Sequence, residues 1–242
     1  MSLQIIFVLV FIFSSCDGKP ELPPAIIRCT PTSDACFKSQ LQTFLNVLQT
    51  NPKSLKVKDI QPMKVKSWTV APGPKHIKYN QTYKNFRLYN HAFNKVESLK
   101  KKIAGNVMTF NVTVSNPEVI GVAEFNNATF LNVTLSSKGQ VTYVHEGYKA
   151  SFNVTGEIVN REKDKYIKLV DLSLQFSASK IVFNIKTNNA THDVVTNNLL
   201  NKNWKLAFDD VKAGYEKIYA QAYRDIVEGI LAAFPYDSIF LD

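Results

Sequence analysis

Hydrophobic residues recur along the chain with two different periods. Phe37, Leu41, Phe44, Leu45 and Leu48 follow the three-to-four spacing of one helical face. Thr32-Ser33-Asp34 offers an N-cap before them, and Asn51-Pro52 ends the run. From about Val57 to Lys186 the period drops to two. Met108, Phe110, Val112 and Val114 alternate with Thr109, Asn111 and Thr113; Leu131, Val133 and Leu135 with Asn132 and Thr134; Leu172, Leu174 and Phe176 with Ser173, Gln175 and Ser177. Each run predicts a strand with one apolar and one wet face, as in antiparallel sheet covering something on a single side. Gly105, Asn116-Pro117, Gly139 and Asn188-Asn189 supply turn signals between them.

The helical period then returns in Leu200, Trp204, Phe208, Val211, Tyr215, Ile218, Ala222, Ile226 and Ile230, and it ends at Phe234-Pro235. One helix over about Leu199 to Phe234 would be roughly 50 Å long. That exceeds a round domain of this size, so the sheet is expected to extend along it. No Gly-rich linker interrupts the pattern, and residues 19–242 read as a single elongated domain.

The amino terminus sets the expected compartment. Ile5 to Phe13 is an unbroken apolar run, too short to span a bilayer, followed by Ser14-Ser15-Cys16-Asp17-Gly18. Residues 1–18 read as a secretory signal peptide cleaved after Cys16 or Gly18, although no Lys or Arg precedes the run. No later stretch approaches a membrane-spanning length, so a secreted, soluble protein is expected. Removal of Cys16 leaves Cys29 and Cys36, which in an oxidising compartment are expected to pair and pin the first helix. No nearby His or Cys completes a metal site, and no metal or cofactor is expected. Asn80, Asn111, Asn127, Asn132, Asn153 and Asn189 all stand in Asn-x-Thr. Asn111, Asn132 and Asn153 share a strand face with their threonines, opposite the apolar residues. That face carries either glycans or only polar side chains.

Composition narrows the function classes. With 242 residues, 45% hydrophobic and 12% aromatic, the chain can build a sizeable core. Its 20% charged residues and mean hydropathy of −0.12 exclude both a disordered tail and a multi-pass membrane protein. The formal charge is +9, yet only Arg28, Arg87, Arg161 and Arg224 are arginines against 25 scattered lysines. That balance argues against nucleic-acid partners, which favour the guanidinium fork. It leaves a solvated basic surface or contact with an anionic layer.

Catalytic patterns are missing: there is no G-x-S-x-G, P-loop, G-x-G-x-x-G or H-E-x-x-H. His76, His91, His145 and His192 are isolated and read as surface or loop residues, and no spacing pairs the carboxylates of Glu97, Glu118, Glu124, Glu146 and Glu157. The chain is not expected to be an enzyme. A one-sided sheet over an aromatic helix encloses either an ordinary packed core or a tunnel for a hydrophobic ligand.

The order of parts resembles the insect Takeout and juvenile-hormone-binding-protein family. The residues that carry the resemblance are Cys29-x6-Cys36, a Lys-rich strand at Leu55-Lys56-Val57 before Gln61-Pro62-Met63, Asn85-Phe86-Arg87-Leu88-Tyr89, Phe93-Asn94-Lys95-Val96, Leu199-Leu200-Asn201-Lys202-Asn203-Trp204 and Phe234-Pro235-Tyr236-Asp237-Ser238-Ile239-Phe240. The resemblance implies an α+β fold related to the tubular modules of the bactericidal/permeability-increasing protein group. In that fold a long C-terminal α-helix is wrapped by a highly curved antiparallel β-sheet (a super-roll), here with a short N-terminal helix and one disulfide. It implies a secreted, monomeric carrier of an elongated small hydrophobic ligand, such as a terpenoid or fatty acid. The absence of a second cysteine pair points to the Takeout branch.

On this reading Phe110, Val112, Val133, Phe152, Leu174 and Phe176 of the sheet, with Phe208, Tyr215, Ile218 and Tyr219 of the helix, line the tunnel or form plain core. Tyr143 and Tyr215 either donate to the ligand or bond to backbone. An alternative reading is an extracellular glycoprotein that acts through its basic surface on a receptor or an anionic lipid or microbial surface.

Overall fold

The computed structural model describes residues 20–57, 60–77, 80–130 and 133–241, with the side chains of all of these except 127–130 and 133–137. The expected signal peptide over 1–18, and Leu131 and Asn132, lie outside the described residues.

Helix α1 (Asp34–Thr50) starts where the Ser33 hydroxyl accepts from the Cys36 amide at 3.2 Å. It ends at Asn51, and a 3-10 turn over Pro52–Leu55 follows, closed by Lys56 in the left-handed region (φ 58°). The strand expected at Leu55-Lys56-Val57 is therefore this turn. Pro52 presets its φ, and fully buried Leu55 anchors it. Cys29 and Cys36 are disulfide-bonded, with Cα atoms 5.7 Å apart. Cys29 also pairs through its backbone with the chain end, accepting from Leu241 N at 3.0 Å. The bridge thus ties the start of α1 to the carboxyl terminus.

Among the described residues seven strands form one antiparallel sheet: β1 (Met63–Val70), β2 (Gln81–Tyr89), β3 (Lys95–Ala104), β4 (Val107–Phe130), β5 (Val133–Arg161), β6 (Asp164–Ser177) and β7 (Lys180–Lys186). The 24-residue β4 and 29-residue β5 pair along their length as a central ribbon. β3 and β6 flank one half of that ribbon, and β2 and β7 flank the other.

The halves meet at Pro117 and Gly147. Asn116 pairs with Tyr148 and Glu118 with Glu146, while Pro117 has no N–H for the ladder and Gly147 sits at φ +59°. Asn116-Pro117 is thus a mid-strand break instead of the expected turn. Gly139 also lies within β5: a Cβ there would stand 2.4 Å from the Phe125 ring, so the glycine makes room for its cross-strand partner. Phe130 pairs with Val133 at the far end of the ribbon.

Alternation sorts the two faces. Phe110–Val154–Leu172, Val112–Phe152–Leu174 and Val114–Ala150–Phe176 form rungs on the inner face. Asn111, Asn153 and Ser173 form an exposed rung outside. Register shifts in β2, β3, β4, β5 and their partners add twist. The sheet consequently curls until β1 and β6, at opposite ends of its strand order, both pack on the same C-terminal helix.

That C-terminal run is three helices where the periodicity predicts one: α2 (Ala190–Lys202), α3 (Trp204–Asp209) and α4 (Lys212–Ala233), followed by a short α5 (Tyr236–Ile239). Side-chain chemistry explains the breaks. The Asn203 amide folds back to the Leu199 carbonyl (2.8 Å) and ends α2. Asp210 turns outward to accept from the backbone amides of Lys75, His76 and Ile77 at 2.6–2.9 Å. Asn201 and Asn197 exchange paired hydrogen bonds with the backbone of Phe183 and Ile185, covering the free edge of β7. The long element inside the sheet is α4 alone, 22 residues and about 33 Å.

Candidate functional site

A cavity of about 260 Å³ lies between α1, the second half of α4 and the inner face of the sheet. Helix α1 contributes Phe37, Leu41, Phe44, Leu45 and Leu48, the stripe visible in the sequence. Helix α4 contributes Ile226, Val227, Ile230 and Leu231, with Tyr223 at the inner end. The floor is the rungs of β4 and β5 around Phe110, Val112, Phe152 and Val154, and Phe240 closes the outer side. Most of these helix side chains are only half-buried, because one side of each faces the void.

Among the described residues no charged side chain lines the cavity. Its polar residues are Gln40, His91, Asn94 and Tyr223. Gln40 spends its amide on the carbonyls of Ile27 (2.7 Å) and Ile239 (3.0 Å), clasping α1 to both chain termini. His91 and Asn94 both reach the Tyr223 hydroxyl, at 2.8 and 2.9 Å.

A second cavity of about 20 Å³ lies towards the other end, lined by Gln81, Tyr143, His145, Phe183, Phe208 and Tyr215 among others. That is room for one water. Tyr83 donates to Gln81 Oε1 at 2.6 Å, and Tyr215 stands 3.0 Å from Tyr83 and 3.1 Å from Tyr143. Burial raises the Tyr83 phenol to about 12 and pushes those of Tyr143 and Tyr215 well above their ordinary value, so all three stay neutral.

Between the cavities stands an aromatic wall. Phe176 stacks on Tyr219 with centroids 4.8 Å apart, and Tyr219 meets His91 on one side at 5.3 Å and His145 on the other at 6.0 Å. Tyr148 and Phe86 extend it. His91 and His145, expected at the surface or in loops, are 2% exposed. Desolvation lowers His91 to about 3 and His145 to about 4, so both rings are neutral here.

The residues expected to line a tunnel therefore divide. Phe110, Val112 and Phe152 face the larger cavity; Tyr143, Phe208 and Tyr215 face the smaller one. Phe176 and Tyr219 fill the wall between them, and Leu174 and Ile218 pack beside it, so none of these four lines either cavity. Large rings at those positions stack on each other and block what would be a continuous bore. The Tyr215 hydroxyl bonds to the Tyr143 hydroxyl and to Gln81 Oε1, so both tyrosines pair with side chains and not with backbone. Val133 lies in β5 opposite Phe130, and its side chain is outside those described.

Periodicity does not mark α1 as a cavity wall, and nothing in the spacing singles out His91 and Asn94. The usable signals were the aliphatic continuation of the α4 stripe beyond Ala222 and the broad apolar face of α1. Asn80, Asn111, Asn153 and Asn189 are exposed, whereas Asn127 and Asn132 lie outside the described side chains. Asn189 also caps α2, accepting from His192 N at 3.1 Å. Among the described residues there is no cluster of three or more potential metal ligands, and no helix is long and apolar enough to cross a membrane.

Residues 6–241 match the family described as haemolymph juvenile hormone binding protein (JHBP). The circadian clock-controlled protein daywake of Drosophila melanogaster is 25% identical, covering 99% of this chain and 96% of the relative. Its counterpart from Drosophila yakuba is 23% identical over 93% and 90%. Among solved structures, Takeout 1 of Epiphyas postvittana superposes with a TM-score of 0.72 at 14% identity, covering 89% of this chain and 99% of that one.

Proposed function

The chain belongs to the haemolymph juvenile hormone binding protein family, and we propose that it is a secreted, monomeric carrier of one elongated hydrophobic molecule held between α1 and α4. The observation that carries this reading is the void itself. Protein interiors are close-packed, with few gaps larger than a water. Here about 260 Å³ stays unfilled beneath a helix that a disulfide and Gln40 hold in place. That volume sits near the lower end of ligand pockets, roughly 300–1,000 Å³, and the lining is apolar with a few convergent polar groups at one end. Burial of apolar surface at about 25 cal/mol per Å² would drive binding. A juvenile-hormone-like terpenoid or a fatty-acid derivative fits that chemistry. The apolar leader and the exposed sequons Asn80, Asn111, Asn153 and Asn189 support export and glycosylation.

Displacement of a fluorescent apolar probe from delipidated protein tests the proposal, with Val227→Phe as the variant that fills the void. Saturable binding by the parent and its loss in the variant are expected. Equal binding by both would place the ligand elsewhere and favour the surface-acting alternative. A mass decrease on endoglycosidase treatment of the secreted protein tests the glycans.

A further inference from the structure

Four buried polar atoms in the aromatic wall have no hydrogen-bond partner among the described residues: His91 Nε2, His145 Nδ1 and the hydroxyls of Tyr148 and Tyr219. The rings that carry them are in contact. His91 meets Tyr148 at 5.5 Å and Tyr219 at 5.3 Å, and Tyr219 meets His145 at 6.0 Å. Buried polar groups are normally satisfied, because an unmet one has given up water for nothing. A cluster of them behind the inner end of an apolar cavity marks a place where something polar belongs.

The direction of the protons can be worked out from the backbone. The Glu118 N–H can only donate, and it donates to Asn116 Oδ1 at 3.0 Å. The Asn116 amide nitrogen therefore faces the other way, donating to the Asn90 carbonyl (2.9 Å) and to Asn94 Oδ1 (3.1 Å). That orients Asn94 so that its Nδ2 donates to the Tyr223 hydroxyl at 2.9 Å. Among the described residues the one acceptor within reach of the Tyr223 proton is His91 Nδ1 at 2.8 Å, so the hydroxyl is satisfied by donating there. A neutral imidazole has one N–H, and burial keeps His91 neutral. Its proton is thus on Nε2, the atom without a partner. The relay from Glu118 to His91 leaves one oriented donor, Nε2–H, packed against the Tyr148 and Tyr219 rings behind the inner end of the cavity.

We propose that His91 is the specificity-determining residue of this carrier: its Nε2–H donates to an uncharged oxygen acceptor at the ligand's polar end, an ester, ketone or epoxide, beside the Tyr148 and Tyr219 hydroxyls. The inference rests on the carrier reading above and narrows it to neutral ligands. The oxygen reaches Nε2 by displacing the edge of a ring packed around His91. A free carboxylate is selected against, because among the described residues no cationic side chain lines the cavity and His91 does not supply a charge.

The test uses delipidated full-length secreted protein at neutral pH and three probes sharing one palmitate-length chain: the methyl ester, the free acid and the hydrocarbon. The ester is expected to bind about tenfold more tightly than the hydrocarbon, with the acid no better than the hydrocarbon. His91→Phe should bring the ester down to the hydrocarbon's affinity and leave the hydrocarbon unchanged. An ester equal to the hydrocarbon, as when only a buried water meets Nε2, overturns the proposal, and so does an acid as tight as the ester. Failure of all three probes sinks the carrier reading instead. Should His91→Phe not fold, the infrared carbonyl band of a 13C-labelled ester on the unsubstituted protein decides. A band below its position in hexane supports the bond to His91, and a hexane-like band overturns it.

Discussion

The two halves of α4 run along the same curled sheet yet lie in opposite surroundings. Its first half carries Tyr215, Ile218, Tyr219 and Ala222, buried against Phe176, Phe208 and Tyr143. Its second half carries Ile226, Val227, Ile230 and Leu231, half-buried around the cavity. The ribbon of β4 and β5 serves both halves, so the sheet does not decide where the void falls. Ring size along the helix does, together with what covers each end. Aromatic side chains fill one end from within, whereas α1 roofs the other end without filling it. A hydrophobic stripe along a helix therefore specifies an interior surface, and the volumes of its residues determine whether that interior is solid.

The largest expected effect that probes this contrast is acid sensitivity of the filled half. His91 and His145 have folded pKa values lowered to about 3 and about 4 by desolvation, against about 6.5 unfolded. Between those values the unfolded chain binds more protons than the folded one, so stability rises with pH. The contribution is complete above about pH 6.5 and is lost as pH falls through about 4 for His145 and about 3 for His91, by about 3 kcal/mol per pH unit where both rings differ. Denaturant melts across pH 4–7 measure it, and a flat profile would mean that the wall admits water. Next comes Tyr219→Ala, which empties the centre of the wall and should cost about 3–5 kcal/mol, compared with about 1 kcal/mol for Ile226→Ala beside the existing void. Equal losses by denaturant titration would erase the distinction between the halves.

Smaller effects concern the roof and the void. Replacing Cys29 and Cys36 together by serine reopens a loop of sequence separation 7 and should cost about 2 kcal/mol. It should also speed ligand release in stopped-flow displacement, since the bridge holds the start of α1. Val227→Phe should change stability least, within about 1 kcal/mol, because the new ring enters empty space. A larger loss on thermal unfolding would show that this part of the interior is already full.

Much of this architecture is legible in the residues. The two-residue alternation of 108–114 and 172–176 places inner and outer faces as the structure has them, and Ser33 and Pro52 bound α1. Short signals misled where long-range partners decide the local outcome. Asn116-Pro117 looks like a turn but is a break in a paired strand, because Gly147 lies across from it. Gly139 looks like a turn but accommodates Phe125. Asn203 and Asp210 interrupt the C-terminal helix through hydrogen bonds to a carbonyl one turn back and to a loop more than 130 residues away. The cavity was only half legible, since periodicity shows which side chains point inward but not whether they meet. The His91 relay was hidden because its members are scattered from Asn90 to Tyr223 and only the fold aligns them.

The most direct test of the carrier reading is native mass spectrometry of the protein secreted from insect cells, followed by organic extraction and identification of the released material. The account predicts a protein mass raised by one small hydrophobic molecule, or an apo mass that shifts by one equivalent when an apolar ester is added. An apo mass that stays apo after challenge with terpenoid esters, quinones and fatty-acid derivatives would contradict it.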